Sequence, residues 1–382
     1  MTIATPVPAA DDGSAEILDA VERFCREILA PAAAEIDRTG RSAVMHRAAL
    51  GEIGFMGLNL PEPWGISLPA TQLFEAVAHL AGACGSTASM VTAHWLATDS
   101  ILIGGDAAQH ERWLPGAASG ELLAAYALTE PGAGSNPAEM STTATRTDGG
   151  YRICGTKHFI SNAGDADFIV VYAKTDPSAG ARGISAFVVD RTTPGITIAA
   201  PERTMGLRGG HVFEISFDCE VPADRRLGAE GSGFRTAMKV LDAGRVEIAA
   251  CAVGIAEAAL GAAVDWARQR KVGGAPIAEL QGIQWKIADM AVDIAAARAL
   301  GLEAARAREA GRRFSREASI AKLFGSEMVA RVTDQALQIH GGYGFCTYLP
   351  LERYVRDCRI FRIYEGSSEV QRNIIARAVL MA

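Results

Sequence analysis

Paired cysteines are missing from this sequence. Seven cysteines are spread over 382 residues, none in a CxxC pair, and the closest two, Cys346 and Cys358, stand twelve apart. An odd, scattered set fits reduced core thiols, so no disulfide framework is expected. Basic residues are also in the minority: 37 Lys and Arg against 44 Asp and Glu leave a net charge of −7. That field opposes nucleic acid and anionic membrane. The N-terminal stretch MTIATPVPAADDGSAEI has no basic or strongly apolar segment and no arginine. Neither a secretory leader nor a transit peptide is expected. Apolar runs fall short of the ~18 to 20 residues of a membrane span, so the expectation is a cytoplasmic protein. HExxH, HxxxH and clustered Cys/His spacings are absent, which argues against a metal site. GxSxG, the P-loop and GxGxxG are absent too, which removes the commonest hydrolase and nucleotide-binding signatures.

What remains is 49% hydrophobic and 21% charged, the composition of a globular chain long enough for two or three domains. Its texture changes twice. Up to about residue 121 apolar residues recur at helical spacing: Ile17, Leu18, Val21, Phe24, Cys25 and Ile28, then Leu73 to Leu80, then Ala93 to Ile103. Pro31, Gly40 and the segment 59–65 punctuate them. Residues 122–233 carry short β-rich runs at 151–160, 168–172, 184–189 and 212–217, separated by Gly, Pro, Asn and Asp. In the last run Phe213, Ile215 and Phe217 alternate with Val212, Glu214 and Ser216, which implies one buried face. Residues 234–382 return to long helices, at about 234–270, 277–310 and after Ser315, with a last one after Gly366. Arg268, Arg270 and Lys271 followed by Gly273, Gly274 and Pro276 mark the end of the first of these. Ser368 and Gln371 have capping-box spacing at the start of the last. The expected fold is α+β: an N-terminal helical domain (1–121), a middle antiparallel barrel-like β-domain (122–233) and a C-terminal four-helix bundle (234–382).

Taken singly, the polar segments are ambiguous. Tyr126-Ala-Leu-Thr-Glu-Pro-Gly-Ala-Gly-Ser135 is either an ordinary turn-rich loop or a cradle of N–H and hydroxyl donors. His340-Gly-Gly-Tyr-Gly344 is either a helix C-cap or a close backbone approach to a ligand. Glu365, in Ile363-Tyr-Glu-Gly366, is either a solvated residue before a helix or a desolvated base beside the free backbone donor of Gly366. Asp242 and Arg245 share a helix face, by default as an exposed ion pair. Arg298, Arg306, Arg308, Arg312, Arg313 and Arg316 interleave with acids and read as a solvated face.

Taken in order, YALTEPGAGS, GTKHFISNAGDAD, QIHGGYGF and IYEGSSEVQR resemble the acyl-CoA dehydrogenase family of flavoproteins, over essentially the whole chain from Ser14 to Ala382. The resemblance implies FAD as cofactor, with Tyr126, Leu128, Thr129, Ser135, Phe159 and Ser161 at the flavin and its chain. It implies Arg270 and Gln281 reaching the pyrophosphate from a neighbouring subunit of a homotetramer (a dimer of dimers). Gln338, Gly341 and Gly342 would meet the ADP half, and Ser367 and Glu369 would flank the cofactor. The acyl-CoA substrate would face Ser135, Asp242, Arg245 and Gly366, with Glu365 as the base that takes the α-proton. Hydride would pass to flavin N5 and the electrons to an electron-transfer flavoprotein. Some members carry the base immediately before the helix arginine, where this chain has Gly244, which leaves the role to Glu365. An oxidase or other flavin enzyme on the same fold, and a silent FAD- or CoA-binding scaffold, are the alternatives. Departures from the family pattern are Val272, Gly273, Asn136 after Ser135, Phe159 where tryptophan is commoner, and Glu247 in an apolar helix row. Glu247 is expected either near the substrate channel or in an interhelical ion pair. Trp95 either shortens the acyl pocket, favouring short or branched chains, or packs the core.

Overall fold

The computed structural model describes residues 14–381. Residues 1–13, which carry most of the segment read as having no leader, lie outside the described residues, as does Ala382. Helix α1 (Ser14–Phe24) passes through a π-helical turn, Cys25–Leu29, into α2 (Ala30–Thr39). The sequence suggests a break at Pro31, yet the helix continues. The Ala30 N–H reaches back five residues to the Cys25 carbonyl, and Pro31 follows this wide turn as the second residue of α2. The wide turn also shifts the buried face by one residue, so Leu29 is buried and Ile28 is exposed. Four more helices follow: α3 (Arg47–Glu52), α4 (Ala70–Ala83), α5 (Gly85–Gly104) and α6 (Ala107–Ala118). α5 begins well before Ala93, because its first turns bury Ser86, Thr87, Ser89 and Thr92, small polar residues that hide the apolar period.

The strands are β1 (Ala124–Ala127), β2 (Thr143–Thr147), β3 (Gly150–Ser161), β4 (Phe168–Lys174), β5 (Ile184–Asp190), β6 (Ile196–Ile198), β7 (Val212–Pro222) and β8 (Arg226–Leu227). They form one sheet in the order β6-β7-β3-β2-β4-β5-β8, with β1 also on β4. Pairing is antiparallel except where β1 runs parallel to β4 and where β2 touches β4 at Thr143 and Lys174. The sheet is therefore mixed rather than purely antiparallel. The β2–β3 hairpin, which intervenes in sequence, gives the crossover a parallel pair needs. β7 buries Phe213, Ile215 and Phe217 as its alternation implies. β4 is apolar on both sides, since Phe168, Val170 and Tyr172 pack on α5 and α6 while Ile169 and Val171 face the interior of the sheet.

Helix α7 (Gly233–Gln269) opens the last part of the chain. A two-residue hairpin follows, β9 (Lys271–Val272) and β10 (Ala275–Pro276), whose turn residues Gly273 and Gly274 both have positive φ, +62° and +89°. The departure at Gly273 thus has a local cause. After a short 3-10 turn at Ile277–Glu279 come α8 (Gln281–Glu309), α9 (Ser315–His340), α10 (Leu351–Asp357) and α11 (Ser368–Leu380). α7, α8 and α9 pack on one another, α11 lies on α9, and α4 runs along α7. By length and composition α7 could cross a membrane, but 72% of its most apolar window is buried inside the fold, where it is the central helix. Of the arginine run, Arg306, Arg312, Arg313 and Arg316 are exposed as expected. Arg298 and Arg308 instead turn inward, Arg298 to Glu75 and Glu257, Arg308 to Asp99 and Glu247. Five cysteines are buried, while Cys154 is exposed and Cys346 half-buried.

Candidate active site

Glu365 stands on a tight turn that leads into α11. Its φ is +52° and that of Gly366 is +90°. Glycine adopts this conformation freely, whereas a glutamate must be held in it at a cost of ~1 to 2 kcal/mol. The holding groups grip the two carbonyls. Gln371, wholly buried in α11, donates through Nε2 to the oxygens of Glu365 and Gly366, each at 3.0 Å. Lys322 of α9 donates to the Gly366 oxygen at 2.7 Å, and Arg245 Nε approaches the Glu365 oxygen at 3.5 Å. Gln371 is therefore engaged with this turn and forms no capping box. Ser367 caps α11 by accepting from the Val370 N–H, and Ser368 donates to Glu327 at 2.7 Å.

Glu365 is half-buried, and one end of its carboxyl turns inward. Oε2 is sealed from solvent and has no hydrogen-bond partner. It lies against Gly244 of α7: a Cβ at that position would stand 2.3 Å from Oε2 and 2.8 Å from Leu96 Cδ2 on α5. Glycine at 244 makes the room the carboxyl occupies. Burial pushes the Glu365 pKa up, Lys322 and Arg245 pull it back, and the balance is about 7. A solvated residue ahead of a helix would show none of this. Tyr126 on β1 lies within electrostatic reach of both Glu365 and Arg245.

Asp242 and Arg245 pair at 2.6 Å, but the pair is buried rather than exposed. The start of α9 covers this face of α7, and the Ser315 hydroxyl donates to the second oxygen of Asp242. Burial raises the Asp242 pKa, with the Ser315 hydrogen bond and Arg245 working against it.

A second group forms where β1 meets β3. The β3–β7 register shifts between Lys157 and Ile160, a bulge that turns Phe159 outward at 61% exposure with φ +58°. Ser161 follows it, and Leu128 and Thr129 run alongside, with the His158 N–H donating to the Thr129 oxygen at 2.9 Å. One buried ion pair, unremarked in the sequence, fixes this ledge. Lys157 Nζ donates to the Leu128 oxygen at 2.9 Å and to Glu130 at 3.0 Å. Burial works to raise the Glu130 pKa, yet the Lys157 charge and the hydrogen bonds from Ser141 and Thr142 bring it down to about 2. The signal available in the sequence was a lysine at an inward position of β3, two residues before an outward phenylalanine. Beyond the ledge Ser135 is exposed, and nothing stands within 4 Å of a Cβ built on Gly132 or Gly134. An open aromatic face edged by hydroxyl and peptide donors fits a planar ring with a polar rim, such as a flavin.

The remaining expected residues lie elsewhere. Arg270, Gly341 and Gly342 line a cavity of ≈ 500 Å³ with Trp266, His340 and Tyr343, the Arg270 guanidinium 5.6 Å from the Tyr343 ring centre. Gln281 and Gln338 are exposed and do not line it, and Glu369 is exposed at the start of α11. Arg270 stands twenty-five residues beyond Arg245, just past the end of the same helix, about 37 Å away at ~1.5 Å per residue. Within one chain this cavity and Glu365 are not brought together. Trp95 is 0% exposed, donates to the Met56 oxygen at 2.8 Å and stacks on Phe55, so it packs the core. Glu247 is 4% exposed, with neither oxygen hydrogen-bonded and Arg308 4.0 Å away. The interhelical pairing expected of it is thus a loose one.

A half-buried carboxyl with a raised pKa and, apart from it, a ledge with an outward aromatic ring fit the class of flavin-type oxidoreductases. Family models match in the same order as the three textures: acyl-CoA dehydrogenase N-terminal domain over 11–121, middle domain over 125–219 and C-terminal domain over 231–380. The chain belongs to the acyl-CoA dehydrogenase family, whose members are FAD-dependent oxidoreductases. It is 43% identical to the acryloyl-CoA reductase (NADH) of Anaerotignum propionicum, over 96% of this chain and 94% of that one. The structure of butyryl-CoA dehydrogenase from Megasphaera elsdenii superposes with a TM-score of 0.95 at 38% identity, covering 98% of this chain and 100% of the other. A chain in the structure of the electron transferring flavoprotein of Acidaminococcus fermentans gives 0.96 at 37% identity and covers both chains fully.

Proposed function

We propose that this protein oxidises a short-chain acyl-CoA thioester to the trans-2-enoyl-CoA, with Glu365 as the base for the α-proton, and delivers the electrons to an electron-transfer flavoprotein. The α-hydrogen of a thioester is a weak acid, so its removal needs a base of matched strength and a polarised carbonyl. Glu365 at about 7 is a stronger base than an ordinary carboxylate, and with Oε2 sealed against Gly244 the other carboxyl oxygen is the one left to take the proton. The Gly366 N–H polarises the thioester carbonyl, and glycine at 244 leaves room for the carboxyl beside Leu96. Arg245, held by Asp242, faces the CoA portion together with Ser135. Bound FAD supplies the hydride acceptor at N5 and the exit for two electrons. Tyr126, Leu128, Thr129, Ser135, Phe159 and Ser161 seat its ring and chain, with Ser367 and Glu369 flanking. Arg270, Gln281, Gln338, Gly341 and Gly342 take the ADP half from a neighbouring subunit of a homotetramer. Support for a short chain comes from relatives named for butyryl-CoA and acryloyl-CoA, not from Trp95.

The Glu365 carboxyl, with one oxygen sealed and unpartnered and its pKa raised to about 7, is the observation that carries this reading. Its test is to mix FAD-loaded protein anaerobically with a panel of acyl-CoAs and follow the flavin absorbance. Bleaching, strongest with butyryl-CoA, is expected, and rapid reoxidation by air would move the assignment to an oxidase. No bleaching with any thioester would remove the proposal.

A further inference from the structure

A wholly buried lysine needs a reason. Lys322 is 0% exposed, on the inner row of α9 that also buries Ala318, Ala321, Gly325 and Val329. Taking an ammonium out of water costs several kcal/mol unless a strong partner compensates. Its hydrogen bond to the Gly366 oxygen does not suffice as that reason, because Gln371 donates to the same oxygen with a neutral amide. The charge is what Gln371 does not supply.

The surroundings show where that charge is felt. The charged groups facing Lys322 are Glu365 on the turn, Arg245 on α7, Glu327 on α9 and Glu369 on α11. Glu327 is already engaged by Arg362 at 2.9 Å and by Ser368 at 2.7 Å, and Glu369 is exposed to solvent. Glu365 is left, with one oxygen sealed and unpartnered. Arg245, the other cation near it, already pairs with Asp242. Further titratable groups stand around Glu365: Tyr126 on β1, Glu247 and Cys251 on α7, and Tyr364 beside it in the chain. None of these is a cation.

We propose that Lys322 is a positioning residue for the base: it clamps the Glu365–Gly366 turn through the Gly366 carbonyl and supplies the positive charge against which Glu365 ionises. The inference rests on the reading of Glu365 as the base and adds the group that tunes it. Geometry and charge act together. A trans peptide points its N–H opposite its C=O, so gripping the Glu365 oxygen with Gln371 and Arg245 also aims the Gly366 N–H. Lys322 keeps the next carbonyl in place, and its charge favours the carboxylate over the acid. Burial brings Lys322 itself down to about 8, so the help it gives is present below that pH and fades above it.

The test separates clamp from charge. In K322M and K322Q, Gln371 still holds the Gly366 oxygen, and the pH at which the bleaching rate is half-maximal is expected to rise by about one unit. Wild-type and variant rates should differ most below about pH 8, where Lys322 is charged, and draw together as pH rises beyond it. Q371L, which loosens the turn and leaves the charge, is expected to lower the rate about tenfold at every pH with the midpoint unmoved. A carbon-13 titration of the Glu365 carboxyl, assigned through E365Q and recorded without thioester, reads the same midpoint independently of turnover. FAD absorbance and melting temperature establish that each variant is folded, and K322Q serves if K322M is not. An unmoved carboxyl midpoint in a folded Lys322 variant overturns the proposal, whether or not the wild-type protein bleaches. Failure of the wild-type protein to bleach overturns the dehydrogenase reading instead.

Discussion

At the scale of single residues, Glu365 and Gly244 depend on each other. The carboxyl occupies space that any Cβ at 244 would take, so G244A must displace Glu365, Leu96 or both. A fall of about 100-fold or more in the bleaching rate is expected, with FAD still bound, because a base displaced by ~1 Å loses its alignment. Retention of wild-type rates by G244A would show that the carboxyl works from another position. The raised pKa of Glu365 also sets a pH dependence with two opposite signs. The carboxylate is the active form, so kcat/KM is expected to rise as pH passes through about 7. For stability the direction reverses. The folded state keeps this proton while the unfolded chain loses it above about 4.5, so Glu365 costs stability increasingly from 4.5 up to about 7. E365Q is accordingly expected to be inactive yet to melt higher than wild type at pH 7.5. Differential scanning fluorimetry beside the activity assay reads both. The position of Glu365 in a loop was legible in the sequence, but its burial was not. The room for its inward oxygen is made by Gly244, more than a hundred residues away, and only the resemblance favoured a base there.

At the scale of elements, two buried charge clusters have opposite consequences. Lys157 and Glu130 tie the loop after β1 to β3, with Glu130 also accepting from Ser141 and Thr142. Removing one partner strands the other, so K157M is expected to cost about 3 to 5 kcal/mol and to weaken FAD retention. Denaturant titration and flavin content after gel filtration read the two effects. Glu247 is the contrary case. Asp99 accepts from Asn59 at 2.8 Å, but Glu247 has no hydrogen bond, and burial with Asp99 nearby pushes its pKa well up. Its proton is kept on folding and lost on unfolding, so its cost grows as pH rises above about 4.5. E247V is expected to stabilise the fold by about 1 to 3 kcal/mol at pH 8 and by less at pH 5. An E247V protein that is less stable than wild type at pH 8 would show that this carboxyl is satisfied. Regular elements read well where local pattern decides them: the alternation of β7, the Gly273–Gly274 turn, the end of α7. They read poorly where tertiary burial overrides pattern. The polar first turns of α5 and the inward-turning Arg298 and Arg308 look solvated in sequence and are placed by their neighbours in the fold.

At the scale of the whole molecule, the length of α7 shapes the proposed assembly. Glu365 lies by Gly244 and Arg245, about a third of the way along, whereas the cavity of Arg270, Gly341 and Gly342 lies at the far end, about 37 Å along ~1.5 Å steps. A cofactor touching both groups is one that two subunits share. The expected consequence is complementation. R270A and E365Q homomers should each be inactive, while co-assembled mixed oligomers regain activity, because an R270A subunit keeps Glu365 and borrows Arg270 from its neighbour. No recovery in verified mixed oligomers would mean that Arg270 serves its own chain or none.

The most direct test of Glu365 as the base is a single-turnover experiment: FAD-loaded wild type and E365Q mixed anaerobically with excess butyryl-CoA at pH 6, 7 and 8. Wild type is expected to bleach at a rate that climbs through about pH 7, and E365Q to keep its flavin oxidised at every pH. Rapid bleaching of E365Q with the same pH profile would contradict the assignment.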